Sequence, residues 1–231
     1  MEINSVETWK VSEDDRKLEP DSVIHEAEVV LRLNGKVRRR LCCLPAHLEE
    51  LALGHLMSEG IAAFADIEIE HKGRGITVYA RRKSGTIKPE KITSPLKITA
   101  ADVFHFIKRL EENSILYRKT GGTHVVGIFC GPQALFVEDI SRHCAIDKII
   151  GLALKNGIDL SQSALVTSCR QTLSTIKKAI NAHIPVVITI AAPTDLAIKE
   201  ADLFGITLVG FARERRFNIY SHDWRILKNA H

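Results

Sequence analysis

From His124 onward the chain alternates short β-branched runs with helical stretches, and nothing else in it limits the fold as much. H-V-V-G-I-F-C, A-L-F-V-E-D, A-L-V-T, V-V-I-T-I and I-T-L-V-G-F have the length and composition of strands. Helical patterns separate most of them: residues 144–156, stopped by Gly157; R-Q-T-L-S-T-I-K-K-A-I; and a segment opening at Pro193. Gly131-Pro132 marks a turn between the first two strands. Strands spaced by helices imply right-handed crossovers onto a mainly parallel sheet covered by helices. Ahead of them, Thr99 and Asp102 form a capping pair at the start of the helix that contains F-H-F-I-K-R-L.

The first part of the chain reads differently. Residues 1–22 are polar with mixed charges, and we expect a loose arm there. Residues 23–97 then suggest a small α+β domain. E-A-E-V-V-L-R-L and K-V-R-R-R-L-C-C-L flank Asn34-Gly35, the strongest short hairpin signal. Arg38, Arg39 and Arg40 are either an anion patch or a solvated strand face paired with Glu26 and Glu28. Pro45 opens a helix carrying Leu48, Leu51, Leu56 and Met57, closed by Gly60, and the strands I-E-I-E and I-T-V-Y-A follow. Residues 81–97 lack periodicity and read as a long functional loop or a linker to the domain at 98–231.

Composition excludes several classes. With 45% apolar and 26% charged residues the chain is neither disordered nor fibrous. No apolar run approaches the roughly 18 residues a membrane span needs, and we expect no secretion signal at the amino terminus. Five cysteines, with Cys42 and Cys43 adjacent, do not form a disulfide framework, so we expect the reducing cytoplasm. A formal charge of +4 permits an anionic ligand without arguing for nucleic acid. There is no C-x-x-C, no H-E-x-x-H, no Walker loop and no G-x-S-x-G, so we expect no metal and no such nucleophile.

In open α/β sheets ligands bind beyond the carboxyl ends of the strands. Those ends carry Ser141-Arg142-His143, Ser168-Cys169-Arg170, Ala191-Ala192-Pro193-Thr194 and Ala212-Arg213-Glu214-Arg215-Arg216. Helix amino termini with arginines suit phosphate, which points to a cleft for a phosphorylated ligand such as a nucleotide. The alternative is that Arg142, Arg170 and Arg213 pair with Asp139, Asp147 and Asp195. Thr120-Gly121-Gly122-Thr123-His124 either brings backbone close to a ligand or makes a tight turn. Cys144 and Cys169, each expected at a helix amino terminus, are candidate thiolates or simply buried apolar residues.

T-G-G-T-H, S-R-H-C-A-I-D-K-I-I-G, A-A-P-T and I-T-L-V-G-F-A-R-E-R-R-F-N-I-Y, in that order, resemble the formate dehydrogenase accessory sulfurtransferase (FdhD) family across residues 25–225. L-P-A-H-L-E-E-L-A-L-G-H-L-M-S-E-G resembles its amino-terminal region. The resemblance implies a cytidine-deaminase-like α/β domain, a small α+β amino-terminal domain and a homodimer. It also implies that persulfide sulfur passes from a cysteine desulfurase to the molybdenum of bis-molybdopterin guanine dinucleotide, for formate dehydrogenase. Phe211, Ala212, Arg213, Glu214, Arg215 and Arg216 match the family's cofactor-binding stretch. Thr120, Gly121, Gly122, Thr123, His124, Asp139, Arg142, His143, Asp147, Ser168 and Arg170 match other motif positions.

Sulfur in this family travels on a Cys-x-x-Cys loop, and here the corresponding loop reads R-R-K-S-G-T-I-K-P-E-K-I-T-S-P, without cysteine. Cys144 stands where the resemblance implies asparagine, and Cys169 where it implies glycine. A carrier needs a thiolate that forms and surrenders a persulfide. Three hypotheses follow: a sulfurtransferase whose carrier has moved to Cys144 or Cys169, with Cys130 a third choice; a cofactor-binding chaperone that handles no sulfur; and a nucleotide-binding protein outside molybdenum chemistry.

Overall fold

The computed structural model describes residues 2–61, 65–72, 75–82, 88–213 and 215–228. The amino-terminal arm is not loose: β1 (Ile3–Val11) and β2 (Arg16–Ile24) pair antiparallel from Ile3↔Ile24 to Val11↔Arg16. Both faces of this ribbon are largely exposed, so burial imposes no alternation on its sequence and the strands carry no pattern to find. Cross-strand contacts hold it instead, with Trp9 opposite Leu18 and the Arg16 guanidinium 4.3 Å over the Trp9 ring.

β3 (Ala27–Leu33) and β4 (Lys36–Cys43) form the hairpin expected at Asn34-Gly35, whose φ angles of 48° and 80° are those such a turn requires. After α1 (Leu48–Ser58), β5 (Ala65–Lys72) and β6 (Gly75–Arg82) complete a four-stranded sheet in the order β4-β3-β6-β5. Ala27, Val29 and Leu31 alternate inward and share a core with Leu48, Leu51 and Leu56 of α1. Arg39 and Arg40 lie opposite Leu31 and Val30, while Glu28 lies opposite Cys42, so the register sets no glutamate across from these arginines. On an edge strand such charges discourage pairing with another chain.

β7 (Ile98–Thr99) leads into α2 (Ala100–Glu112), where Thr99 and Asp102 make the expected capping box. α3 (Ile115–Thr120), which the sequence did not suggest, precedes β8 (His124–Cys130) and β9 (Gln133–Asp139). Then come α4 (Arg142–Lys155), β10 (Ala164–Thr167), α5 (Leu173–Asn181), β11 (Val186–Thr189), α6 (Asp195–Phe204), β12 (Thr207–Arg213), β13 (Arg216–Ser221) and β14 (Ile226–Leu227), which pairs with β7.

The large sheet has the order β13-β12-β11-β10-β8-β9. It is mixed, not mainly parallel. β10, β11 and β12 are parallel, while β8, β9 and β13 join antiparallel. The turns at Gly131-Pro132 and before Arg216 are too short for a crossover, so each strand reverses on its neighbour. Val126 and Ile128 of β8 face α4, α5 and α6; Val125 and Phe129 face α2. Burial on both faces explains the unbroken apolar strands.

Of the 81–97 segment, residues 81–82 end β6, and residues 88–97 are irregular up to β7 but tied down. The Ile92 N–H donates to Phe204 O (2.8 Å), and the Ser94 hydroxyl donates to Ser161 O (2.6 Å). Arg225, with no solvent exposure, donates to the carbonyls of Ile92, Ser94 and Gly205. Ser161 and Gly205 precede β10 and β12, so this strap lies at the amino ends of the parallel strands, away from the candidate cleft. No described helix is long and apolar enough to cross a membrane.

Candidate functional site

A cavity of about 560 Å³ opens at the carboxyl ends of the parallel strands, lined by Gly121, Gly122, Thr123, His124, Ser168 and Ile190, with Leu110, Glu111, Ser114, Tyr117 and Arg118 as a wall from α2 and α3. A second basin of about 530 Å³ shares Glu111 and Ile190 and adds Arg213, Arg215 and Arg216. The T-G-G-T-H motif, Ser168 and the arginine cluster thus border one groove.

Local chemistry explains how each side is held. α3 ends at Gly121, whose φ of 67° favours glycine. A Cβ on Gly122 would lie 2.9 Å from the Ile24 side chain, so β2 closes against the motif from behind. The free Leu116 and Tyr117 N–H groups at the start of α3 donate to the Glu138 carboxylate (2.8 Å each), which also accepts from the Thr123 hydroxyl (2.6 Å). Ser168 Oγ accepts the Val125 N–H at 3.0 Å, and the Ser168 N–H donates to Val125 O. Phe211 sits at a bulge with φ of 52°, a strained angle for an aromatic residue, and keeps its ring at the surface. Ala212 is buried, and Glu214 lies outside the described residues.

The arginines are not spent on the aspartates. Asp139, fully buried, is paired with Lys148 and accepts the N–H groups of Leu44 and Ser141. Asp147 is paired with His55 (2.9 Å) and Lys178 (2.7 Å), and exposed Asp195 lies 3.7 Å from Lys199. The resemblance placed Asp139 and Asp147 among cofactor contacts; both are buried and paired within the protein. Arg142, Arg170, Arg213, Arg215 and Arg216 have no carboxylate partner among the described residues, and Arg142 Nε is buried without a hydrogen-bond partner. Arg213 lies directly across the hairpin from Arg216, a like-charge pair that an anion would relieve. Burial first, and then the Arg142 cation, hold His124 and His143 below the usual histidine range.

The cysteines part company with expectation. α5 begins at Leu173, capped by Thr172, so Cys169 is not at a helix amino terminus, and burial pushes its thiol up. Cys144 is in the first turn of α4, its N–H donating to Ser141 Oγ (3.4 Å). Its side chain, however, packs into the core of the small sheet. A hydrogen bond with Cys43 holds Cys144 below the ordinary thiol value and pushes Cys43 up. Cys130 ends β8, at the opposite end of that strand from His124, and Cys42 is exposed on β4.

A model described as the FdhD/NarQ family matches residues 70–227, from the small sheet through the arginine cluster. The chain belongs to the FdhD/NarQ family. A sulfur carrier protein FdhD of Methanothermobacter thermautotrophicus is 32% identical over 96% of this chain and 98% of its own. That of Bacillus pumilus is 33% identical over 89% and 90%. The fold matches a crystal structure from Desulfotalea psychrophila, described as a candidate formate dehydrogenase accessory protein, with a TM-score of 0.85 and 24% identity over 97% and 99% of the two chains.

In this FdhD/NarQ chain the groove wall of Glu111, Tyr117 and Arg118 escaped sequence reasoning, because α3 is a short helix whose amino end is satisfied by a glutamate from β9 rather than by a local cap. The run Tyr117-Arg118-Lys119 immediately before T-G-G-T-H was the available signal. No group of three or more His, Cys, Asp or Glu among the described residues is arranged to hold a metal ion.

Proposed function

We propose that this chain is a formate dehydrogenase accessory protein of the sulfur-carrier kind, whose groove holds bis-molybdopterin guanine dinucleotide as the client that receives sulfur. The observation that carries the ligand assignment is the buried, unpartnered Arg142 Nε, on a guanidinium that acts with Arg170 on His124 of the cavity wall. A guanidinium left in this state suits a phosphate oxygen. Arg142, Arg170, Arg213, Arg215 and Arg216 hold the phosphates, Phe211 offers a ring to a flat heterocycle, and Gly121 and Gly122 let the ligand approach the backbone. The names of the relatives support the sulfur assignment. The sheet order, with β8 antiparallel to β10, supports the cytidine-deaminase-like description, and five free thiols support the reducing cytoplasm. The protein acts as a homodimer that meets a cysteine desulfurase and formate dehydrogenase.

Sulfur is loaded when a thiolate attacks the outer sulfur of the desulfurase persulfide; the desulfurase thiolate leaves, and no oxidant is consumed. Cys144 is the candidate for that thiolate, since Cys169 is held as a thiol. A second reading, a cofactor binder that handles no sulfur, is favoured by the exposure of Cys144 and Cys169, only 1% and 2%. Intact-protein mass spectrometry after incubation with a cysteine desulfurase and cysteine separates the two. A reductant-labile gain of one sulfur, lost in Cys144→Ser, supports the carrier. No gain, while a family member with Cys-x-x-Cys is loaded in parallel, leaves the binder. Under both readings Arg142→Ala weakens binding of guanosine diphosphate about 10- to 100-fold by calorimetry, the loss of one or two charge-assisted hydrogen bonds. Unchanged affinity would refute the groove.

A further inference from the structure

Among the described residues, one acidic side chain lines the two basins of the groove, and it lines both: Glu111. The last turn of α2 brings it there, while the β12–β13 turn brings Arg213, Arg215 and Arg216 to the basin they share with it. No ion pair joins it to those three guanidinium groups. Arg118, on the same wall, is spent on backbone, donating to the carbonyls of Glu111 and Glu112 (2.5 and 3.2 Å). With the Ser114 N–H also on Glu111 O (3.2 Å), the backbone at Glu111 is fixed and its carboxylate has no partner among the described residues. A groove built for phosphate alone gains nothing from such a group, because a carboxylate repels an anion. It gains if the same ligand also carries hydrogen-bond donors.

We propose that Glu111 is the specificity-determining residue of the groove: its two carboxylate oxygens accept the ring N–H and the adjacent amino group of a 2-amino-4-oxopyrimidine edge, while the arginines hold the phosphates. The inference rests on the nucleotide groove proposed above and adds the residue that decides which nucleotide enters it. A carboxylate is acceptor-only and has two oxygens side by side, so it matches two adjacent donors. Guanine presents that pair, and a pterin presents the same pair. Hypoxanthine keeps the ring N–H and lacks the amino group. Adenine sets its amino group beside a ring nitrogen that is itself an acceptor, and that lone pair faces the second carboxylate oxygen unfavourably. The bases are therefore ranked guanine, hypoxanthine, adenine.

Calorimetry on the full-length protein tests this with guanosine, inosine and adenosine diphosphates and with 6-hydroxymethylpterin, which carries the edge without phosphate. The wild type should bind guanosine diphosphate about 10-fold or more tighter than adenosine diphosphate, with inosine diphosphate between them. Glutamine offers one acceptor and one donor, so Glu111→Gln should weaken guanosine diphosphate about 10-fold and leave adenosine diphosphate unchanged or tighter. Glu111 is exposed, so the variant folds, and a fold defect would weaken both nucleotides alike. A loss with guanosine diphosphate assigns the contact to guanine; a loss with 6-hydroxymethylpterin alone assigns it to the pterin end. The inference is overturned if Glu111→Gln binds both as the wild type does. In that case a loss of guanosine diphosphate affinity in Arg142→Ala leaves the groove standing without its selector. A wild type that binds no guanosine diphosphate refutes the groove itself.

Discussion

Buried charge decides the behaviour of single residues here. Burial alone would raise the Asp147 carboxyl; Lys178 and His55 outweigh it and hold Asp147 below the usual carboxylate range. Removing one partner leaves an uncompensated charge in the core, so Lys178→Met is expected to lower stability by about 3–5 kcal/mol in urea denaturation. The histidines set a second expectation. His124 and His143 have folded values depressed by burial and then by the Arg142 cation. The unfolded chain therefore binds their protons first as pH falls. Their contribution to stability is complete well above the ordinary value of 6.5 and is lost as pH drops through 6.5 toward the depressed folded values. Urea midpoints measured from pH 8 to 5 should fall below about pH 6.5, and the fall should be shallower in His124→Gln/His143→Gln. The alternation around His124 and the position of His143 were legible in the sequence. Their depressed values were not, because those depend on the neighbouring Arg142 guanidinium and on burial.

At the scale of elements, the contact between α1 and α4 is set by two glycines. A Cβ on Gly54 would come 1.6 Å from Asp147 O, and one on Gly151 would come 1.9 Å from Glu50 O. Both clashes are with backbone, so neither helix can yield by rotating a side chain. Gly151→Ala is expected to cost about 3 kcal/mol in thermal or urea unfolding, although alanine is the better helix former. An unchanged midpoint would show that the helices do not touch there. The cap of α2 is the opposite case: Thr99 and Asp102 announce it within four residues, and Thr99→Ala should cost about 1 kcal/mol. A cap is a local hydrogen-bond pattern, whereas a glycine crossing is visible only once two distant helices are placed together.

For the molecule as a whole, a mixed sheet carries its groove at one end and the Arg225 strap at the other, with the exposed β1–β2 ribbon at the amino terminus. Leu18 on that ribbon is half exposed, so Leu18→Ser should change stability by no more than about 0.5 kcal/mol, in contrast to Lys178→Met and Gly151→Ala. A large loss would show that the ribbon is packed against the body. The sequence by itself determined the strands and helices from β3 onward wherever burial repeats with period two or about 3.6. It also located the strand ends that carry Ser168 and Arg213. Tertiary structure alone decided that β8 and β13 reverse direction, that Lys148 and Lys178 rather than the arginines pair with the buried aspartates, and that Cys144 packs into the core of the small sheet rather than the groove. The physical reason is range. Periodicity and capping are fixed by neighbours within a turn or a strand pair, but charge partners and thiol contacts depend on the path of the whole chain.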